Sequence, residues 1–220
     1  MKKILLLAFL AAITQTLFAQ SIKLGVKAGL NESTAELGQT ITTTSFLTGF
    51  NAGVFADFGF NKLSIEPGIF YTTNGYNSKT VVLQEPSSQN DFIAKGKVTY
   101  SYLELPVNVL YNIHLRTSKI FIGGGPYCKL ALSGSYRNYI TTNGGEENTG
   151  GKLIFGGEQG DLKKTDFGVN ALAGVAFKPG LLFSLNYGYG LTNIDRPTYT
   201  TNNQKTENRI LSLSVGYVFL

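Results

Sequence analysis

The hydrophobic pattern of this chain repeats every second residue. Ile22, Leu24, Val26, Ala28 and Leu30 alternate with Lys23, Gly25, Lys27, Gly29 and Asn31. The rule returns in Thr48, Phe50, Ala52, Val54, Ala56 and Phe58 against Gly49, Asn51, Gly53, Phe55 and Asp57, and again in Leu63, Ile65, Pro67, Ile69 and Tyr71 against Ser64, Glu66, Gly68, Phe70 and Thr72. Alternation of this kind predicts β-strands with unlike faces, whereas a helix repeats near 3.6.

Five more segments follow, around 102–111, 121–132, 166–177, 183–192 and 211–219, which makes eight predicted strands. Their polar faces hold mostly Gly, Ser and Asn with a few opposite charges, too small and sparse for a solvated exterior. Such groups suit the crowded inside of a narrow barrel, and the bulky face then points to lipid. About ten residues at roughly 3.3 Å each, tilted by about 40°, cover about 25 Å, the height of an outer-membrane apolar band. A sheet that spans lipid must also close on itself, because an unpaired edge has no water to bond to. The expected fold is all-β: an eight-stranded antiparallel up-and-down transmembrane β-barrel.

The connections alternate long (about 32–45), short (Phe60-Asn61-Lys62), long (about 75–97), short (around Ile113 to Ser118), long (about 134–164), short (Lys178-Pro179-Gly180) and long (about 193–207). Outer-membrane barrels have short periplasmic turns and longer outer loops. The alternation therefore places both termini in the periplasm and four polar loops outside. Phe58, Tyr71, Tyr111, Phe177, Tyr187 and Tyr217 fall near strand ends, where interfacial aromatic girdles are expected.

The N-terminus alone does not fit the pattern. Lys2 and Lys3 precede an apolar run from Ile4 to Ile13, then polar residues and Leu17-Phe18-Ala19. This reads as a secretory signal peptide over residues 1–19, too short to span a bilayer. Residues 20–220 form the barrel domain. Without Lys2 and Lys3, 17 basic residues stand against 14 acidic ones, a mild excess of +3 with no block of like charge. Nucleic acid is not expected as a partner. The single Cys128 reads as a small apolar side chain.

Ile65-Glu66-Pro67-Gly68-Ile69-Phe70-Tyr71, Tyr102-Leu103-Glu104-Leu105-Pro106-Val107 with Tyr111, and Gly123-Gly124-Gly125-Pro126-Tyr127 resemble the PorT-like, Bacteroidetes-type family of small outer-membrane β-barrel proteins. The resemblance covers essentially the whole mature chain. It departs at the end, where Leu220 follows Phe219 instead of an aromatic closing the last strand. It implies little about activity: members include one implicated in protein secretion and many with no assigned role.

The candidate site is the set of charges that parity turns inward: Lys23, Lys27, Asp57, Glu66, Glu104, Lys129 and Asp166, with Asn51, Asn108, Asn170 and Asn186 beside them. An internal ion-pair network explains them best, since each buried ion needs a partner. A conduction path comes second. Catalysis comes last, because the single histidine, His114, falls in a short turn, and Ser87, Ser88 and Asp91 in the outer loops have no base beside them. Metal and cofactor sites are not expected either. The expected function is that of a non-enzymatic outer-membrane anchor or interaction subunit in a secretion or envelope assembly. Its expected partners are outer-membrane lipid, the barrel assembly machinery, and an envelope protein held by the long outer loops. The alternative is a small pore or transporter for ions or small solutes.

Overall fold

A computed structural model describes residues 21–37, 42–82, 92–142, 145–157, 162–194 and 206–219. The expected leader, residues 1–19, lies outside the described residues. The strands are β1 (Ser21–Leu37), β2 (Thr42–Ser45), β3 (Leu47–Phe60), β4 (Leu63–Val82), β5 (Phe92–His114), β6 (Ser118–Thr142), β7 (Gly145–Lys152), β8 (Thr165–Phe177), β9 (Leu181–Gly190) and β10 (Thr206–Phe219). No helix occurs among the described residues.

Eight of the strands close a ring in the order β4-β3-β1-β10-β9-β8-β6-β5, and β5 pairs back onto β4. Every pairing in the ring is antiparallel. Closure leaves no edge to be desolvated in lipid, the condition that the alternation alone could only imply. β2 continues the line of β3 along β4, with Phe46 between them. β7 pairs only with the outer half of β6.

Three of the four segments expected as long outer loops, about 32–45, 75–97 and 134–164, hold long stretches of strand. β4 runs on to Val82, β5 starts at Phe92, and β6 continues to Thr142 before returning as β7. A ladder standing in water needs backbone partners but no apolar outer face, so the apolar-outward alternation that marks the wall stops, with Tyr76, Val98 and Tyr100 turned inward, while the pairing persists. The short connections are the two residues Asn61 and Lys62, residues 115–117 and residues 178–180. Asn61 turns the β3–β4 hairpin with φ 57°, in the left-handed region that asparagine tolerates better than most residues.

The wall is the inverse of a soluble protein's surface. Leu213 is 65% exposed, Leu30 64% and Leu24 60%, while inward Asn31, Ser64 and Asp166 are fully buried. Inside, aromatic rings lie across glycines on the neighbouring strand: Phe55 over Gly25, Phe70 over Gly53, Tyr127 over Gly168 and Phe121 over Gly174, each a registered pair. A Cβ at any of these glycines meets the facing ring, so the glycines make the space the rings occupy.

The interior has three tiers. Buried Phe55, Leu110, Phe121, Leu172 and Leu182, from five different strands, form an apolar floor toward the short turns. Toward the other end, Tyr100, Tyr102, Ala131, Leu162 and Ile194 pack as a cap, with Tyr76, Val98, Leu153 and Phe155 against it. Chain beyond β7 folds back to supply Leu162, held by Gly156 N–H to the Leu162 carbonyl (2.9 Å), while Lys163 N–H bonds the Ile194 carbonyl (2.9 Å). Between floor and cap lies a polar chamber.

Candidate functional site

The chamber is a cavity of about 70 Å³ lined by Lys27, Glu66, Glu104 and Lys129 together with Asn51, Asn108, Asn170 and Asn186. Each charge is set by one position of the period-two pattern. Glu104, Lys129 and Asp166 share one row across β5, β6 and β8, because Glu104 is registered on Lys129 and Lys129 on Asp166. Lys129 Nζ lies 3.4 Å from Glu104 Oε2 and 4.4 Å from the centre of the Tyr127 ring. Asp166 accepts a hydrogen bond from Asn208 Nδ2 at 2.8 Å.

The second pair bridges one intervening strand. Lys27 on β1 reaches past β3 to Glu66 on β4, with Nζ 2.7 Å from Oε1 and both side chains under one-tenth exposed. The ammonium also sits 4.2 Å from the centre of the Phe55 ring in the floor. Above this pair, Asn31 Nδ2 donates to Thr72 Oγ1 (2.9 Å) and Asn51 Nδ2 donates to Asn31 Oδ1 (2.6 Å). Ser214 Oγ donates to Asn51 Oδ1 at 3.2 Å, which ties β10 into the same network.

Asp57 and Lys23 stand below the floor, apart from the chamber. Asp57 takes Lys119 Nζ at 2.8 Å, and half-buried Lys23, although registered opposite Asp57, makes no ion pair among the described residues. Both line a separate cup of about 540 Å³ at the short-turn end, with His114, Lys119 and Lys178. The seven sequence-selected charges therefore divide: Lys27, Glu66, Glu104, Lys129 and Asp166 belong to the chamber and its roof, Lys23 and Asp57 to the cup.

Two partners escaped the sequence reading. Lys119 has the same parity as Phe121 and Tyr127 and was within reach of the alternation rule; it falls at a strand start, where a single position reads as turn. Asn208 follows a polar stretch with no apolar alternation to set its face. Chemically, the chamber holds two paired cations and two paired anions. Asn108, Asn170 and Asn186 each present an Oδ1 that takes no hydrogen bond from a protein donor, so it is polar enough to be hydrated. No group of three His, Cys, Asp or Glu capable of holding a metal occurs among the described residues.

The family model described as "Outer membrane protein beta-barrel domain" matches residues 18–196, most of the chain. The chain belongs to this outer-membrane barrel family. The exposed apolar wall is thus a lipid-facing surface, and the protein resides in the outer membrane. No curated protein matches it. Among solved structures, it is similar to Neisserial surface protein A (17% identity, 90% of this chain and 99% of that one, TM-score 0.41). It is also similar to Ail, the attachment invasion locus protein of Yersinia pestis, in complex with the heparin analogue sucrose octasulfate (14% identity, 90% and 99%, TM-score 0.42). A third is OprG from Pseudomonas aeruginosa (14% identity, 91% and 97%, TM-score 0.36).

Proposed function

We propose that this outer-membrane barrel is a non-enzymatic, non-conducting membrane anchor whose working part is its outer extension, serving as an interaction subunit in an envelope or secretion assembly. Both termini lie in the periplasm in this reading, since the short turns gather at their end and the prolonged strands at the other. One observation carries the proposal: buried apolar side chains fill the ring on both sides of the polar chamber, Leu110, Phe121 and Leu172 with Phe55 and Leu182 toward the short turns and Tyr100, Tyr102, Leu162 and Ile194 toward the other end. An eight-stranded ring has an interior that side chains can fill. The chamber's charges are matched in sign and held by neighbours, which suits a structural network better than a reaction centre.

The test has two arms. Folded protein in planar bilayers is expected to be silent, and discrete current steps at single-molecule dilution would favour a small pore instead. Tagged protein from gently solubilised outer membranes is expected to bring down a stoichiometric companion that is lost when the β6–β7 hairpin is shortened. Recovery without any companion, both before and after shortening, removes the subunit reading.

A further inference from the structure

Beyond the apolar wall, β4, β5, β6 and β7 continue as a projecting sheet whose outward face is set by register. Along β4 that face runs from lipid-facing Tyr71 through alternate residues to Lys79; along β5 it runs from Leu105 to Lys97 and Lys95. A bulge at Leu132 keeps β6 in step, so Ser133 faces Ser101 and Arg137 faces Lys97. Lys79 is registered on Lys95, and Lys152 of β7 on Ser135, beside Arg137. All five cations are exposed, and none makes an ion pair among the described residues. The described acid on this face of β7 is Glu146, at the hairpin tip beyond the patch.

Two of these pairs place like charges directly opposite each other, Lys79 on Lys95 and Lys97 on Arg137. Such pairs weaken a sheet on their own, so the arrangement favours a counter-charge arriving from outside. Height narrows what brings it. At about 2.5 Å of height per tilted residue, Arg137, five residues past Leu132, stands about 12 Å above the apolar edge, and Lys79, eight past Tyr71, about 20 Å. A phospholipid headgroup layer is only about 5 to 8 Å deep on each side. Phosphates at the height of these cations must be carried on a larger polar head, such as the sugars of a glycolipid.

We propose that this basic face seats the phosphorylated sugar headgroups of outer-leaflet glycolipid. The apolar wall below contacts the acyl chains of the same molecules, the registered Ser101 and Ser133 meet the sugar layer, and the five cations neutralise its phosphates. The inference rests on the long-strand end facing outward.

Purified, heat-modifiable protein in zwitterionic detergent tests it with three probes: lipopolysaccharide, its enzymatically dephosphorylated form, and phosphatidylglycerol micelles. Wild type is expected to bind the first best, and more weakly as salt rises. The triple variant Lys95→Gln, Lys97→Gln, Arg137→Gln alters only exposed side chains and is expected to keep its folded gel mobility. At roughly fivefold per cation near a charged surface, it is expected to bind about a hundredfold more weakly. Binding within twofold of wild type overturns the proposal. So does equal binding of the dephosphorylated glycolipid or of phosphatidylglycerol. The orientation is read separately, by labelling Thr149→Cys in a Cys128→Ala background with an impermeant maleimide on intact cells. Labelling only after permeabilisation overturns the orientation and this occupant with it, whatever the purified protein binds.

Discussion

Replacing Glu66 by Gln isolates the energetics of the chamber. The Lys27 ammonium lies 2.7 Å from Glu66 in a region where neither side chain is more than 8% exposed. At that separation and an effective dielectric near 20, the gross attraction is about 6 kcal/mol. Glutamine keeps the shape and an oxygen acceptor but removes the charge, leaving the ammonium over the Phe55 ring without its ion-pair partner. Because the hydrogen bond survives, the loss is expected to fall below the gross figure, at about 3 to 5 kcal/mol, as when one partner of a buried pair is removed. The paired replacement Lys27→Met with Glu66→Gln removes the stranded charge and is expected to recover most of the loss. Denaturant unfolding in detergent micelles, followed by far-ultraviolet circular dichroism and gel mobility, measures this in a chain that has no tryptophan. The partly exposed pair Arg209–Glu207 supplies the contrast, with an expected change from Glu207→Gln of about 1 kcal/mol or less. If Glu66→Gln unfolds within about 0.5 kcal/mol of wild type, or the double variant is no better than the single, the ion pair does not hold the barrel as argued.

Two further outcomes are expected. Gly174→Val drives side-chain atoms into the Phe121 ring and the Phe183 carbonyl and is expected to cost about 1 to 3 kcal/mol in the same unfolding assay, whereas Gly188→Ala, whose nearest neighbour is 3.4 Å away, is expected to lie within about 0.5 kcal/mol of wild type; equal effects would refute the ring-on-glycine account of the interior. Replacing Phe55, Leu110 and Phe121 together by Ala removes most of the floor and, with Leu162→Asp to loosen the cap, is expected to give current steps in planar bilayers that wild type does not; a variant that folds and stays silent would place the block elsewhere.

The strand positions, their facing and the barrel itself were legible because a closed sheet in lipid writes its geometry into the chain at period two: Leu24, Leu30 and Leu213 point outward, and Lys27, Glu66 and Lys129 inward, by parity alone. The same rule failed where no face meets lipid. The outer halves of β4, β5 and β6 show mostly polar residues outward and turn apolar ones such as Tyr76, Val98 and Tyr100 inward, and β7 is polar on both faces, so none repeats the apolar-outward pattern and they read as loops although their backbones are paired for up to another dozen residues. Which inward charge meets which was likewise beyond parity. Period two gives a residue its side of the sheet but not its height or its neighbour across the ring, and those depend on stagger and closure. Tertiary structure alone brought Lys27 past β3 to Glu66, gave Asp57 to Lys119, separated cup from chamber with five apolar side chains, and returned Leu162 and Ile194 over the mouth. The local pattern determined what each strand shows to lipid, and the closure of the ring decided what those strands enclose.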